Sequence, residues 1–187
     1  FVTGRLGMGH LAPIAHDLPA MERFYVEALG FRVTERLQSR SGPLDIRGTF
    51  LHCNSRHHTL ALFPIPVAKR VHHVMFQAAQ WGAVGRAYER ARSLGVPLSL
   101  TLGQHPDPDG TFSFYGATPS GFDFEVGAGS GEIVPATWQE AKADKTSSWG
   151  HEPQLRLKAR MAWALLAHRF GGRRRGGGDQ RAARAAS

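Results

Sequence analysis

The sequence predicts an α+β fold built from two βαβββ modules in tandem. Two observations lead to it: one order of apolar patterns (strand, helix, three strands) occurs twice, and corresponding residues lie 63 positions apart. At this spacing His10 corresponds to His73, and Tyr25 corresponds to Tyr88. Because a small sheet must bury one face against another layer, we expect the two modules to pair and form a curved mixed-sheet barrel around one cavity.

The first module begins with a short apolar strand at residues 9–15. Asp17 is placed to cap a helix that carries Pro19 in its first turn, where proline is tolerated. Apolar residues then recur at helical spacing, and Gly30 is typical of a helix C-terminus. Three strand-like runs follow, with a break at residues 41–43. They are Phe31–Leu37, Thr49–Asn54 and His58–Phe63.

The second module repeats this plan from a strand at residues 72–78. Its helix is indicated by apolar residues around Val84 and Tyr88 and ends near Gly95. The following strand-like runs are Val96–Leu102, Thr111–Ala117 and Phe122–Val126. We therefore place the modules at about residues 9–66 and 71–128, with an irregular extension over residues 128–152.

Composition narrows the possible functions. The chain has 187 residues, 42% hydrophobic and 20% charged, which is typical of a globular protein. Residues 150–187 carry nine of the basic side chains against two acidic ones, so they account for most of the net charge of +8. Such a charge run is usually a solvated tail, and we expect neither nucleic-acid binding nor membrane insertion. The single cysteine, Cys53, excludes a disulfide framework and favours a cytoplasmic location; we expect it to pack in a strand.

Three residues stand out when the two modules are compared. His10 and His73 open the modules at equivalent positions, and Glu125 lies in the last strand of the second module. The counterpart of Glu125 is Leu62, which cannot bind a metal. Two histidines and one carboxylate suit non-haem Fe(II), because positions stay open for substrate and O₂, and Mn(II) fits a similar set. The competing interpretation, core histidines and a solvent-facing glutamate, is disfavoured because all three residues occupy corresponding repeat positions.

Five motifs extend this picture: Gly-Met-Gly-His at 7–10 and the segments 50–61, 69–73, 102–105 and 113–125. Together they resemble the catalytic domain of type I extradiol ring-cleavage dioxygenases of the vicinal oxygen chelate superfamily, in particular members that act on 2,3-dihydroxybiphenyl and related catechols. The resemblance covers about residues 1–152. It implies a glyoxalase-like fold in which His10, His73 and Glu125 bind the iron.

The resemblance also implies four catalytic residues near the iron. His58 matches the family's acid–base histidine beside the substrate and the bound oxygen. His105 and Tyr115 match residues that hydrogen-bond a substrate hydroxyl and direct proton transfer. Asp109 matches a supporting acidic residue. Asp107 is the competing position, because the segment from Pro106 to Ser113 is one residue longer than the family pattern. We interpret the remaining histidines, among them His57, His72, His52 and His16, as bystanders or as structural neighbours of the site.

The resemblance further divides the chain. Residues 1–8 resemble the linker between two similar domains, so an N-terminal, non-catalytic domain of the same enzyme is expected to be missing. Residues 9–152 form the catalytic domain, and the basic tail at 153–187, partly helical and then disordered, departs from the family pattern. The family often forms homo-oligomers, which we expect for the full-length protein.

The function predicted is extradiol cleavage of an aryl-substituted catechol by Fe(II) and O₂ in aromatic degradation. Three alternatives remain open at this stage: another enzyme of the same fold, such as a metal-dependent isomerase or thiol transferase; a metal-free small-molecule binding module; and an inactive truncated domain. Five apolar residues are expected either to line a substrate pocket or to pack in the core. They are Phe50, Val74, Phe76, Phe114 and Phe122.

Overall fold

The computed structural model of the chain describes residues 3–4, 6–41, 44–67, 69–159 and 161–162. Ten strands within these residues join in one mixed sheet. Among the helices of the described residues, none has the length and apolarity needed to cross a membrane.

The first module follows the predicted order of elements. Asp17 caps the first helix, because its side chain accepts a hydrogen bond from the backbone nitrogen of Ala20 at 3.0 Å. The helix then widens into a π-helical turn before Gly30, whose φ of 73° is left-handed. Gly42 and Pro43, part of the predicted break, lie outside the described residues. The elements are β1 (Met8–Pro13), α1 (Leu18–Arg23), the π-helical turn (Phe24–Ala28), β2 (Arg32–Ser41), β3 (Leu44–His52) and β4 (Leu60–Leu62).

The second module repeats the first, and two short strands follow it in the extension after residue 128. Its first strand, its helix and its last strand each begin 63 residues after their counterparts β1, α1 and β4. The predicted repeat is therefore present in the backbone itself. The elements are β5 (Val71–Gln77), α2 (Trp81–Ser93), β6 (Leu98–Gln104), β7 (Phe112–Ala117), β8 (Asp123–Ala128), β9 (Ala141–Ala143) and β10 (Trp149–Gly150).

The sheet has the order β10-β6-β7-β8-β5-β1-β4-β3-β2-β9. Its centre is the antiparallel pair of β1 and β5, which joins the modules, while β1 runs parallel to β4 and β5 runs parallel to β8. The order ends at β10 and β9, so the sheet of the described residues is curved and open. The predicted fold class is confirmed, with the correction that the sheet does not close into a barrel.

The helices cover one side of the sheet and leave the other side for a cavity. One cluster packs α2 against the second module through Ala83, Val84, Phe114 and Val126. A second cluster packs α1 and the following turn against the first module through Leu51, Leu60 and Leu62. Because successive strand residues point to opposite faces, Glu125 lies on the face opposite to Val126, away from α2.

The extension after β8 is more regular than predicted. Residues 128–152 were expected to be irregular, yet β9 pairs with β2 and β10 pairs with β6. Cys53 was expected to pack in a strand, and this prediction is wrong. The residue is exposed and lies just after the end of β3. The backbone is helical at 155–159, and the rest of the predicted helix and tail, from residue 163 onward, lies outside the described residues.

Candidate metal centre and its cavity

Three neighbouring strands bring His10, His73 and Glu125 together, as the repeat predicts. The Nε2 atoms of His10 and His73 are 2.9 Å apart. Glu125 Oε2 lies 3.1 Å from His10 Nε2 and 3.4 Å from His73 Nε2. The β1–β5 register is irregular between Met8 and Leu11, and such irregularities re-aim the side chains between them. The result is one nitrogen–nitrogen–oxygen group on the cavity face.

The protonation states at this group suit a metal ion. Glu125 is completely buried, and neither of its carboxylate oxygens accepts a hydrogen bond of ordinary geometry within the described residues. Burial alone raises the pKa of Glu125, but the surrounding imidazoles outweigh it and hold this pKa well below its usual range. Burial lowers the pKa of His73 well below its usual range, so this ring is neutral. A carboxylate and neutral imidazole are the forms that bind metal.

His72 orients the imidazole ring of His73. His72 Nδ1 lies 2.7 Å from His73 Nδ1, so the two nitrogens share a hydrogen bond. With Nδ1 of His73 engaged in this way, its Nε2 faces Glu125. His72, interpreted from the sequence as a bystander or structural neighbour, is thus a direct support of His73, in the way that metal-binding histidines are usually held.

His58 lies beside His10 and faces the same cavity. Its ring centroid is 4.2 Å from that of His10, and Phe50 contacts it edge-on at 4.9 Å. His57 Nδ1 lies 3.1 Å from His58 Nδ1, so His57 is its hydrogen-bond partner. Burial and the neighbouring imidazoles lower the pKa of His58 well below its usual range, which leaves a neutral ring.

His105 and Tyr115 form a hydrogen-bonded pair on the other side of Glu125. His105 Nε2 is 2.9 Å from the Tyr115 hydroxyl and 3.6 Å from Glu125 Oε1. His105 Nδ1 donates to the backbone carbonyl of Thr146 at 2.7 Å. Burial disfavours the charged ring, but Glu125, Asp109 and the Thr146 carbonyl raise the pKa of His105 to about 9. Burial and the charge of Glu125 raise the pKa of Tyr115 well above its usual value, so Tyr115 is a phenol.

The structure places Asp109, and not Asp107, at the cavity. Asp109 is buried and lines the cavity, whereas Asp107 is exposed. Asp109 together with His57 and His58 is a second group with the composition of a metal site, its ligand atoms within 4.8 Å of one another. In this second group Asp109 accepts from Thr111 at 2.6 Å, and His57 Nδ1 lies 3.1 Å from His58 Nδ1. The fully buried carboxylate of Glu125, whose oxygens have no hydrogen bond of ordinary geometry within the described residues, favours the first group.

The cavity beside these residues has about 500 Å³ of empty space, which includes space open to solvent. Of the five aromatic or aliphatic residues considered from the sequence, Phe50 lines it. Phe114 lies in the α2 core and Phe76 is partly exposed, so neither forms its wall. The apolar part of the wall consists of Leu37, Phe50, Ala61, Phe63, Pro106 and Ala143.

Sequence reasoning missed two residues at the site. Glu35 on β2 is buried, lines the cavity, and has a pKa raised to about 7 by burial and by the charge of Asp109. His151, after β10, lies 4.6 Å from His105 between ring centroids, and burial lowers its pKa to about 4. Alternation along β2 places Glu35 on the same face as Leu37, but a single acidic residue in a strand is usually solvent-facing, so this signal was too weak to find it. The segment Trp149-Gly150-His151 resembles the end of the catalytic domain of type I extradiol dioxygenases, but that resemblance gave no role for His151.

Comparisons with known proteins agree with this geometry. Residues 7–126 match the model of the Glyoxalase/Bleomycin resistance protein/Dioxygenase superfamily. Biphenyl-2,3-diol 1,2-dioxygenase of Paraburkholderia xenovorans is 39% identical over 153 residues, which are 81% of this chain and 50% of that protein. A protein of Rhodococcus jostii named iron-dependent extradiol dioxygenase is 36% identical over 81% of this chain and 53% of its own length.

Solved structures show the same relationship. The crystal structure of 2,2',3-trihydroxybiphenyl 1,2-dioxygenase from Sphingomonas wittichii matches with a TM-score of 0.72 and 36% identity, over 79% of this chain and 51% of that one. The chain thus spans about half the length of the curated relatives it matches. The family match covers both modules and contains His10, His73 and Glu125. The chain therefore belongs to the glyoxalase/bleomycin resistance protein/dioxygenase superfamily.

Proposed function

We propose that residues 9–152 form the catalytic part of an extradiol dioxygenase, which cleaves the ring of an aryl-substituted catechol next to its two hydroxyls with Fe(II) and O₂. One observation carries this proposal: His10, His73 and Glu125 converge to within 3.4 Å at a buried cavity that also presents His58, His105 and Tyr115. Two imidazoles and one carboxylate leave coordination positions open for both reactants.

The residues present fit an iron ion. Glu125 supplies a buried carboxylate that accepts no hydrogen bond of ordinary geometry within the described residues, and the name of the Rhodococcus relative supports iron as the metal. Mn(II) fits the same donor set and is the alternative ion. When bound, the ion lowers the pKa of the catechol hydroxyls and places the electron-rich ring beside O₂.

His58 acts as the base in this proposal. A catechol that binds through both oxygens must lose protons, and a neutral imidazole accepts one near pH 7. The ring of His58 lies 4.2 Å from that of His10 and lines the same cavity. Once protonated, His58 would be the group that can return this proton later in the reaction.

Tyr115 and His105 position the substrate from the opposite side. Because Tyr115 keeps its proton, its hydroxyl can donate to a substrate oxygen, while His105 is held by Thr146 and by Tyr115 itself. Asp109 is a buried negative group near this pair and favours a positive charge on His105. The apolar wall that includes Leu37, Phe50 and Phe63 is suited to an aryl substituent on the catechol.

Anaerobic loading of the chain with Fe(II), followed by 2,3-dihydroxybiphenyl and air, tests the proposal. We expect a yellow ring-fission product and uptake of one O₂ per substrate molecule. His10→Ala should abolish both, while Glu27→Gln, which changes an exposed glutamate, should leave both unchanged. Stoichiometric iron without oxygen uptake on biphenyl, methyl and naphthalene diols would contradict the activity for this chain. A yellow product with unchanged rate in His10→Ala would contradict the assigned site.

A further inference from the structure

The arrangement behind His58 contains a third titratable side chain, Glu35, that the proposed reaction does not use. Glu35 Oε2 lies 3.8 Å from His57 Nε2, and His57 Nδ1 lies 3.1 Å from His58 Nδ1. We propose that Glu35 is a positioning residue that sets the tautomer of His58 through His57. This inference rests on the proposed function, since it concerns His58 as the base.

His57 is fixed in place between these two partners. Its side chain is 1% exposed, and its ring contacts Phe50 and Trp138 at centroid distances of 6.0 and 6.3 Å. Its backbone nitrogen donates to the carbonyl of Gly131 at 3.1 Å. A ring enclosed in this way has little freedom to turn, so each of its nitrogens keeps one neighbour.

The free nitrogen of His57 identifies Glu35 as its partner. His57 Nε2 is buried and has no hydrogen bond in the described residues, a state that is costly for a polar atom. Glu35 is itself buried, and its Oε2, 3.8 Å away, is a carboxylate oxygen next to this nitrogen. Asp109, the other carboxylate of this region, already accepts from Thr111.

The consequence for His58 follows from donor and acceptor roles. A carboxylate only accepts hydrogen bonds, so ionised Glu35 requires the proton of neutral His57 to be on Nε2. Nδ1 of His57 is then an acceptor, and His58 must carry its proton on Nδ1. The lone pair of His58 is thereby placed on Nε2, the nitrogen that does not face His57. Without Glu35, either nitrogen of His57 can hold the proton, and His58 loses this preference.

Nitrogen-15 NMR of histidine side chains in the metal-free, isotope-labelled full chain tests the tautomer directly. Other titratable groups act on Glu35 and His57, so spectra are recorded at one alkaline pH, at which Glu35 is ionised. These groups are His58, His52, His105, His10 and Asp109. We expect His58 of the unaltered chain to be protonated on Nδ1. Glu35→Gln, which has nearly the same shape but can also donate, should lower the ratio of the two His58 tautomers about tenfold.

Three further variants separate positioning from a general structural effect. Glu35→Asp keeps the charge and should restore the ratio, and exposed Glu27→Gln should not change it. His57→Phe should shift the ratio as Glu35→Gln does, and the double variant should shift it no further, because the two residues act through one link. An unchanged His58 tautomer in folded Glu35→Gln, or additive effects in the double variant, would overturn the inference.

Kinetics of the iron-loaded variants distinguish this inference from the proposed function. If the unaltered chain cleaves catechols, Glu35→Gln should lower kcat with iron content and KM for the catechol nearly unchanged. If the unaltered chain has no such activity but the tautomer shifts as described, the proposed function fails and the role of Glu35 toward His58 stands. A raised KM or lost iron with an unchanged tautomer would assign Glu35 to substrate or metal binding and overturn its positioning role.

Discussion

Glu125 is the residue on which metal binding should depend most, because its buried carboxylate has no hydrogen bond in the described residues. An ion at a hundred times its dissociation constant stabilises the folded state by about 2.7 kcal/mol. For a chain of this size that is a rise in Tm of about 5–10 °C. We expect Fe(II) or Mn(II) to produce this rise, and Glu125→Gln to abolish it. Scanning fluorimetry under anaerobic conditions measures both, with Glu27→Gln as the control; an undiminished rise in Glu125→Gln would place the ion elsewhere.

Glu35 should make stability depend on pH. Its pKa is about 7 in the folded chain and 4.5 when unperturbed, so the folded state holds the proton more tightly. The free energy of unfolding therefore falls as the pH rises from 4.5 to about 7, by up to about 3 kcal/mol, and then no longer changes. Glu35→Gln has no carboxyl group to titrate at this position, so its free energy of unfolding should not show this fall.

Urea denaturation of the metal-free chain at about pH 5 and about pH 8 measures the effect. Glu35→Gln should be more stable relative to the unaltered chain at the higher pH than at the lower one. An equal difference at both pH values would show that Glu35 titrates normally.

At the residue scale, the sequence shows some of the site and hides the rest. Glu125 stands out because its repeat counterpart is Leu62, and only a group with a special task departs from an otherwise apolar position. Glu35 has no such contrast, since one acidic residue in a strand is usually solvent-facing. Its burial arises from β9 and the segment before it, which cover β2 from more than 100 residues away along the chain.

At the element scale, the contact between β6 and β10 depends on one glycine. A Cβ built on Gly103 would lie 2.6 Å from ring atoms of His151, which follows β10. Gly103→Ala should therefore displace β10 and His151 and lower the free energy of unfolding by about 1–3 kcal/mol. Gly85, inside α2, has open space at its Cβ, so Gly85→Ala should instead stabilise the chain by about 0.5–1 kcal/mol.

Chemical denaturation of the two alanine variants checks this pair. Equal effects of the same sign would contradict the packing described at β10.

The short strands β9 and β10 themselves were not predictable, because two or three residues are too few to show alternation. They form because the edge strands β2 and β6 offer unpaired backbone groups to them. The longer strands and α2 were predicted in order and position, but β2 runs four residues past the predicted end at Leu37, and β3 begins five residues before the predicted start at Thr49.

At the scale of the whole molecule, the candidate metal centre contains residues from both modules. His10 comes from β1, while His73 and Glu125 come from β5 and β8. Bound metal should therefore slow hydrogen exchange in all three strands together, and α2, on the opposite side of the sheet, should change less. Mass spectrometry of the chain with and without Fe(II) measures this. Protection confined to one module would contradict a site shared between them, and His10→Ala serves as the control.

The repeat made the overall architecture predictable, because equal spacing of strands and helices implies two copies of one unit. Whether the ten strands close into a barrel was not predictable. Closure depends on the curvature and register of the paired modules, which local patterns do not contain. The chain spans about half the length of these relatives, and the expected second domain and homo-oligomer stay predictions.

The central claim is that His10, His73 and Glu125 hold the iron on which a catechol binds. A crystal structure of the full chain, grown anaerobically with Fe(II) and 2,3-dihydroxybiphenyl and measured at the iron absorption edge, tests it most directly. We predict one iron ion bound by His10 Nε2, His73 Nε2 and Glu125, with the diol between His58 and Tyr115. Iron at His57, His58 and Asp109, or a diol bound away from the iron, would contradict the account.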